Sequence, residues 1–305
     1  MWEIHLLKSK RELRKKMVSL NIVRRLFSGQ TKEFLSAKFP KLKRAYNRKL
    51  VLNTIGLKRY YNKEKDALVF GKSVLPMKLF YEPRLSGWLN SEFIDIVCPL
   101  IPDGVYKKLP YLEGPYELGD VKIEKGDVVF DFGARMGLFS IMTANFDCLC
   151  YAFEPMPSNI IWLKELVQIN PHIKIAPYAV SDQNGNAWFD NYDATSVFGK
   201  ISESNEKNNK FKVDCITIDS FVEQNNISRV DFIKADIEGA ERLLLKGATR
   251  VLKEFSPKIS ICKYHLPDDP EVLVDLILKA NPNYIIEEKY MKIYAYVPKQ
   301  EKTTE

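Results

Sequence analysis

The chain has 305 residues, of which 46% are hydrophobic and 12% aromatic, a composition typical of a globular protein rather than a disordered or fibrous one. No apolar run reaches the roughly 18 residues that a membrane span requires. Lys and Arg also interrupt residues 1–20, where a secretory leader would be apolar. We therefore expect a soluble, cytoplasmic protein with one large domain and a smaller appendage.

The positive charge is concentrated at the N-terminus. Residues 1–60 contain seventeen Lys and Arg against three Glu, a net charge of +14, whereas the whole chain carries only +7. Apolar residues recur there at helical spacing, which predicts two or three basic helices. These helices could form a lid on a catalytic domain, attach to an anionic membrane surface on its inner face, or bind an acidic ligand. We favour the lid, with membrane-surface attachment as the next alternative.

The order of the predicted elements indicates the fold class. Beyond residue 119, apolar strand-like runs alternate with amphipathic helices, which favours a mostly parallel, seven-stranded α/β sheet covered on both faces. The last two strands lie too close for a helical crossover and should form an antiparallel hairpin. We divide the chain into a basic, mainly helical region with its connector, 1–105, and an α/β domain, 106–305. The predicted strands are 127–132, 149–154, 173–178, 230–236, 258–264, 284–288 and 292–297, and the predicted helices are 137–146, 158–170, 240–249 and 270–281, with a short hairpin at 66–81, a connecting segment at 88–111 and an insertion at 186–218 that contains two short strands.

A strand, a glycine loop and a helix at residues 128–140 form the strongest motif. Asp131 lies near the end of the strand, Gly133 permits a sharp turn, and Gly137 permits close approach at the helix start. A dinucleotide fingerprint, G-x-G-x-x-G, would require glycine at Arg135 and Leu138, so the phosphate cradle is missing. S-adenosylmethionine has no phosphate and does not require that cradle.

A carboxylate at the end of the second strand completes this cofactor pattern. Glu154 follows the first glycine of the loop by about 20 residues, a spacing suited to the paired hydroxyls of a ribose. Acidic residues also occur at strand ends for other reasons. The strand, the two spaced glycines and this carboxylate together favour an S-adenosylmethionine site.

Three further segments carry a family resemblance. Residues 113–117 read Glu-Gly-Pro-Tyr-Glu, residues 234–241 read Lys-Ala-Asp-Ile-Glu-Gly-Ala-Glu, and residues 259–265 read Ile-Ser-Ile-Cys-Lys-Tyr-His. With the glycine loop they resemble the FkbM-type methyltransferases over roughly residues 110–298. The resemblance implies a class I, Rossmann-like methyltransferase fold and O-methylation of a hydroxyl on a sugar, glycan or small natural product, as in polysaccharide biosynthesis. It also implies cofactor contacts by Asp131, Gly133, Gly137 and Glu154, with Val180 and Ser181 beside the adenine. We count Ala134, Arg135 and Asp236 as further candidate cofactor residues.

One residue of the loop departs from the family pattern. Arg135 stands where the family more often has a small polar residue such as Asn. Its cation could pair with the methionine carboxylate of the cofactor or extend into solvent, and the sequence leaves both open.

The expected catalytic residues follow two neighbouring strands. Methyl transfer to a hydroxyl requires alignment of the acceptor and removal of its proton. We predict that Asp236, Glu238 and His265 serve this purpose, with Asp236 orienting the acceptor or the cofactor amine and His265 as the general base. The alternative is structural: the two carboxylates could cap the next helix, and His265 could be a loop residue.

No metal site is predicted. The five cysteines form no C-x-x-C pair and the chain has three histidines, so no zinc-ligand pattern is present. Asp236 and Glu238 could ligate Mg²⁺, but two carboxylates are too few to predict a site.

Two other functions compete with O-methylation of a small molecule or glycan. The basic segment would suit an RNA or other nucleic-acid methyltransferase. However, residues 236–239 read Asp-Ile-Glu-Gly rather than the Asp-Pro-Pro-aromatic run of base-amine enzymes, and a Pro-Cys nucleophile is absent. The second competing function is that of a noncatalytic cofactor-binding adaptor at a membrane surface, which the intact loop and carboxylates disfavour.

Overall fold

A computed structural model of the chain describes residues 57–78, 113–190 and 210–298. The predicted basic helices, the connector at 88–111 and the domain boundary at 105/106 lie outside these residues. The described residues belong to two compact units, one containing 57–68 and 76–78 and the other containing 69–75, 113–190 and 210–298. Within the described residues, no helix is long and apolar enough to cross a membrane.

The larger unit contains a seven-stranded sheet. Its strand order is β12-β13-β11-β10-β4-β5-β6, in which β4, β5, β6, β10 and β11 are parallel and β13 is antiparallel to both of its neighbours. This order confirms the predicted class I methyltransferase fold, including the antiparallel hairpin at its end. The strands are β1 Tyr61–Asn62, β2 Ala67–Phe70, β3 Ser73–Pro76, β4 Val128–Phe132, β5 Leu149–Phe153, β6 Ile173–Ala176, β7 Ala179–Val180, β8 Gly185–Asp190, β9 Lys210–Ile216, β10 Phe232–Ala235, β11 Lys258–Cys262, β12 Ile285–Lys289 and β13 Lys292–Tyr296. The helices are α1 Leu138–Met142, α2 Pro157–Val167, α3 Ile218–Gln224, α4 Glu241–Lys246, α5 Thr249–Glu254 and α6 Asp269–Ala280, with short 3-10 helices at Leu57–Tyr60 and Thr143–Phe146.

Two smaller sheets accompany the large one. β1, β2 and β3 are neighbours in chain order, as the hairpin predicted around residue 70 requires. β7, β9 and β8 form the other sheet, in which β8 and β9 pair antiparallel. These two are the strands predicted within the insertion, and residues 191–209 between them lie outside the described residues.

Aromatic packing fixes one face of the central strands. Phe130, Phe153 and Phe221 are buried, and the ring centroids of Phe153 and Phe221 lie 4.6 Å apart. Phe221 belongs to α3, a helix that the sequence did not predict. Thr217 begins this helix by accepting a hydrogen bond from the Ser220 backbone N–H at 3.1 Å. The cap and the buried ring stabilise a helix too short to stand out by periodicity.

The helix predicted at 240–249 is divided in the structure. α4 ends at Lys246, and α5 begins at Thr249. A Cβ on Gly247 would lie 2.1 Å from the backbone oxygen of Ser181, so the chain can pass at this point only because residue 247 has no side chain.

The parallel strands carry the predicted residues to one edge of the sheet. Gly133 follows β4, Glu154 follows β5, Asp236 follows β10 and His265 follows β11 by a few residues. These strands run in one direction, so their carboxyl ends share an edge, where open α/β sheets bind ligands.

Candidate active site

Gly133 allows the loops after β4 and β10 to touch backbone to backbone. Its φ is +74°, and a Cβ there would lie 1.9 Å from the Asp236 carbonyl oxygen. Asp236 in turn donates its backbone N–H to Phe132 O at 3.2 Å. No side chain fits between these loops, which explains the glycine that the motif requires.

The backbone N–H groups of the loop are used inside the protein. Gly133 and Ala134 both donate to Phe153 O, at 3.1 and 3.0 Å, and Arg135 donates to Glu154 Oε2 at 2.8 Å. Gly137 donates to Ala134 O at 2.7 Å. These donors therefore do not form a phosphate cradle, in agreement with the missing dinucleotide fingerprint.

Asp131 lies beneath this loop rather than on the surface. Its carboxylate is fully buried, accepts a hydrogen bond from Ser140 Oγ at 2.6 Å, and lies 2.9 Å from Lys234 Nζ. Lys234 also donates to Phe132 O and Gly133 O. Together these contacts hold the loop against β10. The predicted cofactor residue Asp131 thus shapes the loop from below.

Gly137 begins α1 with a φ of +76°. A Cβ at this position would lie 2.8 Å from Leu163 Cδ2, so the glycine also lets α1 and α2 pack closely.

Glu154 is a buried carboxylate at the end of β5, only 3% exposed. It accepts backbone hydrogen bonds from Arg135 and Met156, each at 2.8 Å. Burial raises its pKa to about 6, although these hydrogen bonds oppose the shift. Each carboxylate oxygen retains acceptor capacity beyond one hydrogen bond. Glu154 is therefore ionised near neutral pH and able to accept from hydroxyl groups.

Val180 and Ser181 belong to the small β7-β9-β8 sheet. Val180 is buried and pairs with Ile216, and Ser181 donates its backbone N–H to Ile216 O at 3.1 Å. The carbonyl of Ser181 approaches Gly247 closely. These contacts join the small sheet to the α4–α5 connection, and Val180 also belongs to the buried cluster that contains Phe132 and Phe153.

Asp236 is a charged group at the centre of the edge. Its side chain is 16% exposed, and Tyr116 Oη donates to Asp236 Oδ2 at 3.1 Å. Burial alone would raise the pKa of Asp236, but the positive charges of Lys234 and Arg135 outweigh it and lower the pKa. Asp236 is therefore a carboxylate at neutral pH.

His265 lies among three carboxylates. Its Nδ1 is 3.0 Å from Glu241 Oε1, and its Nε2 is 3.6 Å from both Asp236 Oδ1 and Glu238 Oε2. Burial lowers the pKa of His265, but the contact with Glu241 and the charges of Asp236 and Glu238 raise it above its ordinary value. The ring thus holds its proton to a higher pH than free imidazole, which reduces the fraction available as a base near neutrality.

Glu241 is a site residue that sequence reasoning missed. It is fully buried at the start of α4 and accepts the backbone N–H groups of Ile237 and Gly239, at 2.9 and 3.0 Å. The same carboxylate faces His265, so it fixes both the loop after β10 and the imidazole ring. Its place in the segment 234–241 was the available signal.

Arg135 and Glu238 meet across the two loops. Both have left-handed backbones, with φ of +52° and +57°, which residues with side chains seldom adopt. Arg135 Nη2 lies 3.8 Å from Glu238 Oε1, and the Arg135 side chain is only 16% exposed. The guanidinium therefore does not extend into solvent. Asparagine, the residue that the family resemblance leads us to expect here, adopts this backbone more readily.

Two tyrosines and a lysine complete the edge. Tyr264 Oη lies 3.4 Å from both Asp236 Oδ1 and Glu113 Oε2, and its ring centroid is 4.3 Å from that of His265. Lys292 Nζ lies 4.5 Å from the centroid of the Tyr116 ring and donates to two backbone carbonyls. Sequence reasoning gave none of them a role, because their contacts join segments far apart in the chain.

Comparison with known proteins identifies the family to which this chain belongs. Residues 131–290, more than half of the chain, match the Methyltransferase FkbM domain. The hexuronic acid methyltransferase AglP of Haloferax volcanii is 26% identical over 164 residues, which cover 52% of this chain and 64% of AglP. The chain thus spans less than two thirds of this relative's length.

Among solved structures, the methyltransferase FkbM from Methylobacillus flagellatus KT is 19% identical with a TM-score of 0.46, covering 82% of this chain and 60% of that one. Aeropyrum pernix fibrillarin, solved with natively bound S-adenosyl-L-methionine, is 12% identical with a TM-score of 0.36, covering 64% and 72%. The extent of the domain match identifies the chain as a member of the FkbM methyltransferase family.

Proposed function

We propose that this methyltransferase uses S-adenosylmethionine to methylate a hydroxyl group of a saccharide. The observation that carries the proposal is the meeting of Glu154, Asp236 and His265 at one sheet edge, after three different parallel strands. The name of the relative AglP, a hexuronic acid methyltransferase, supports a saccharide acceptor. Attachment of residues 1–60 to a membrane surface stays a prediction.

The donor set at this edge suits S-adenosylmethionine. Glu154 supplies a buried carboxylate for ribose hydroxyls, and Asp236 supplies a negative charge for a cationic ligand. Gly133, Ala134 and Gly137 form the loop, and Val180 and Ser181 are proposed to lie beside the adenine. When bound, the cofactor supplies a sulfonium methyl carbon that an acceptor oxygen attacks, as the S–C bond breaks and a neutral thioether remains.

Arg135 is proposed to contact the methionine carboxylate. Its guanidinium is held between the two loops by Glu238 and is mostly excluded from water. In such surroundings a cation–carboxylate contact is stronger than in bulk solvent. Asp131 is proposed to act indirectly, by holding the loop through Ser140 and Lys234.

Asp236, Glu238 and His265 are proposed to position the acceptor and remove its proton. An alcohol must lose its proton as its oxygen bonds to the methyl carbon, and a positioned acidic or basic group accelerates this loss. Glu241 keeps the imidazole Nε2 turned toward the other two carboxylates. The assignment of His265 as the base stays a prediction within this cluster.

Mass spectrometry of candidate saccharides tests the proposal. The purified chain is incubated with S-adenosylmethionine carrying a labelled methyl group and with saccharides that contain neutral or uronic sugars. We expect one labelled methyl group on a hydroxyl oxygen, and loss of at least about tenfold in rate for Asp236→Asn. Labelling of RNA but of no saccharide would contradict the proposal. Glu223→Gln, an exposed carboxylate of α3, is the control and should retain the rate.

A further inference from the structure

His265 presents a buried nitrogen to two carboxylates. Its side chain is only 9% exposed, and within the described residues Nε2 has no hydrogen-bond partner. The nearest charged atoms are Asp236 Oδ1 and Glu238 Oε2, each at 3.6 Å. A buried polar atom without a hydrogen bond is costly, so a partner absent from the protein itself is expected at this point.

The opposite side of the ring determines which kind of partner fits. Nδ1 likewise makes no hydrogen bond within the described residues, but it lies only 3.0 Å from Glu241 Oε1, and because a carboxylate offers only acceptors, the proton of a neutral ring is better placed on Nδ1 than on Nε2. In the neutral ring, Nε2 then directs a lone pair toward two anions. A lone pair and two carboxylates repel one another unless a positive charge, either a proton on Nε2 or a cation, lies between them.

We propose that Asp236, Glu238 and His265 form a binding site for a divalent transition-metal cation such as Mn²⁺. With bonds of about 2.1 Å, neighbouring donor atoms lie roughly 3.0 Å apart in an octahedral site and roughly 3.4 Å apart in a tetrahedral one, so a small inward movement from the observed 3.6 Å between Nε2 and each carboxylate oxygen brings the three donors to a cation. One imidazole with two carboxylates suits a first-row cation, since imidazole and carboxylate both bind such ions.

Glu241 supports the site from outside the ligand set. One ligand atom each from Asp236, Glu241 and His265 lies within 4.8 Å of the others, so Glu241 is itself close enough to be considered as a ligand. Both of its oxygens, however, accept backbone hydrogen bonds, from Ile237 and Gly239. A carboxylate that holds the second nitrogen of a metal-bound histidine is a common arrangement. We therefore assign Glu241 to positioning and His265 Nε2 to the cation.

The cation gives His265 a different role from that of a free base. A cation at this edge lowers the pKa of a hydroxyl that reaches it, and the released proton passes to solvent. This catalytic use rests on the proposed function, whereas cation binding itself does not. The sequence offered Asp236 and Glu238 as possible Mg²⁺ ligands, too few to predict a site, and the structure places His265 beside them as a third candidate ligand.

Titration of the full chain with Mn²⁺ alone tests the site, with free Mn²⁺ followed by electron paramagnetic resonance and no cofactor present. We expect one Mn²⁺ per chain, with affinity lowered at least about tenfold in His265→Ala and in Glu238→Gln. The controls His172→Asn and Glu254→Gln remove a histidine and a carboxylate elsewhere, and should bind as the wild type does. Circular dichroism verifies the fold, and Glu238→Gln, whose side chain is 39% exposed, tests the site even if His265→Ala misfolds.

Absence of Mn²⁺ binding by the folded wild type would overturn the proposed site, and this result is expected if a proton alone occupies Nε2. Unchanged Mn²⁺ affinity in both ligand variants, His265→Ala and Glu238→Gln, would overturn it as well. Cofactor titration separates this proposal from the proposed function. Mn²⁺ binding without S-adenosylmethionine binding contradicts only the function, and S-adenosylmethionine binding without Mn²⁺ contradicts only the metal site.

Discussion

The burial of Glu154 predicts that the affinity for the proposed cofactor depends on pH. Its pKa of about 6 means that the carboxylate becomes protonated just below neutral pH, and a protonated carboxyl group is a poorer acceptor for ribose hydroxyls. If S-adenosylmethionine binds the ionised form, its affinity falls roughly tenfold between about pH 7 and pH 5. Calorimetric titration over this range measures the effect. Glu154→Gln should bind more weakly and without this pH dependence, and Glu223→Gln should bind as the wild type does.

The sign of the stability effect at Glu154 follows from the same shift. A carboxyl whose pKa is raised on folding binds its proton more tightly in the folded state, so its ionisation costs stability at neutral pH. This cost disappears as the pH falls through about 6 toward the ordinary value of 4.5. For cofactor binding, a wild-type affinity for S-adenosylmethionine that does not change between about pH 5 and pH 7 would contradict the proposed contact of Glu154 with the ribose hydroxyls.

Alanine substitutions at Gly133 and Gly126 distinguish the cost of backbone strain from the cost of steric crowding. Both have positive φ, +74° and +82°, but a Cβ on Gly133 meets Asp236 O at 1.9 Å whereas a Cβ on Gly126 meets nothing within 4 Å. We expect Gly126→Ala to cost about 1 kcal/mol of unfolding free energy and Gly133→Ala about 3 kcal/mol or more. Urea denaturation compares them, and equal costs would show that the two loops do not touch as described.

At the scale of elements, Lys234 joins β10 to β4. It pairs in register with Asp131, is almost fully buried, and neutralises that carboxylate at 2.9 Å. Lys234→Met leaves a buried charge unpaired and should cost about 3–5 kcal/mol of unfolding free energy. Lys234→Met with Asp131→Asn should recover part of this loss, and the exposed Lys253→Met should cost little. Urea denaturation of the wild type, the two single variants Lys234→Met and Asp131→Asn and the double variant checks the coupling, which additive costs in the double variant would exclude.

Some helices and strands can be predicted from their own sequence pattern, and others cannot. Apart from the paired Asp131 and Lys234, β4 and β10 are apolar because both faces of the sheet are covered, so their pattern identified them. α3 and α5 are short helices whose stability depends on tertiary contacts, such as Phe221 against Phe153. Local periodicity does not record such contacts, so these two helices could not be predicted.

At the scale of the whole molecule, the site combines local motifs with distant pairs. Gly133, Glu154 and Asp236 lie at strand ends that a motif can locate. By contrast, Tyr116 meets Asp236 across 120 positions of sequence, and Lys234 meets Gly133 across 101. Only the sheet order brings these partners together. The sheet edge that carries the candidate cofactor residues was therefore predictable in outline, whereas the environment of His265 was not.

The central claim is that this sheet edge binds S-adenosylmethionine, and calorimetric titration of the folded chain at about pH 7.5, where Glu154 is ionised, tests it most directly. We predict one-to-one binding of S-adenosylmethionine and of its product S-adenosylhomocysteine, weakened at least about tenfold by Glu154→Gln. A folded protein that releases no heat of binding with either ligand up to about 1 mM would contradict the account.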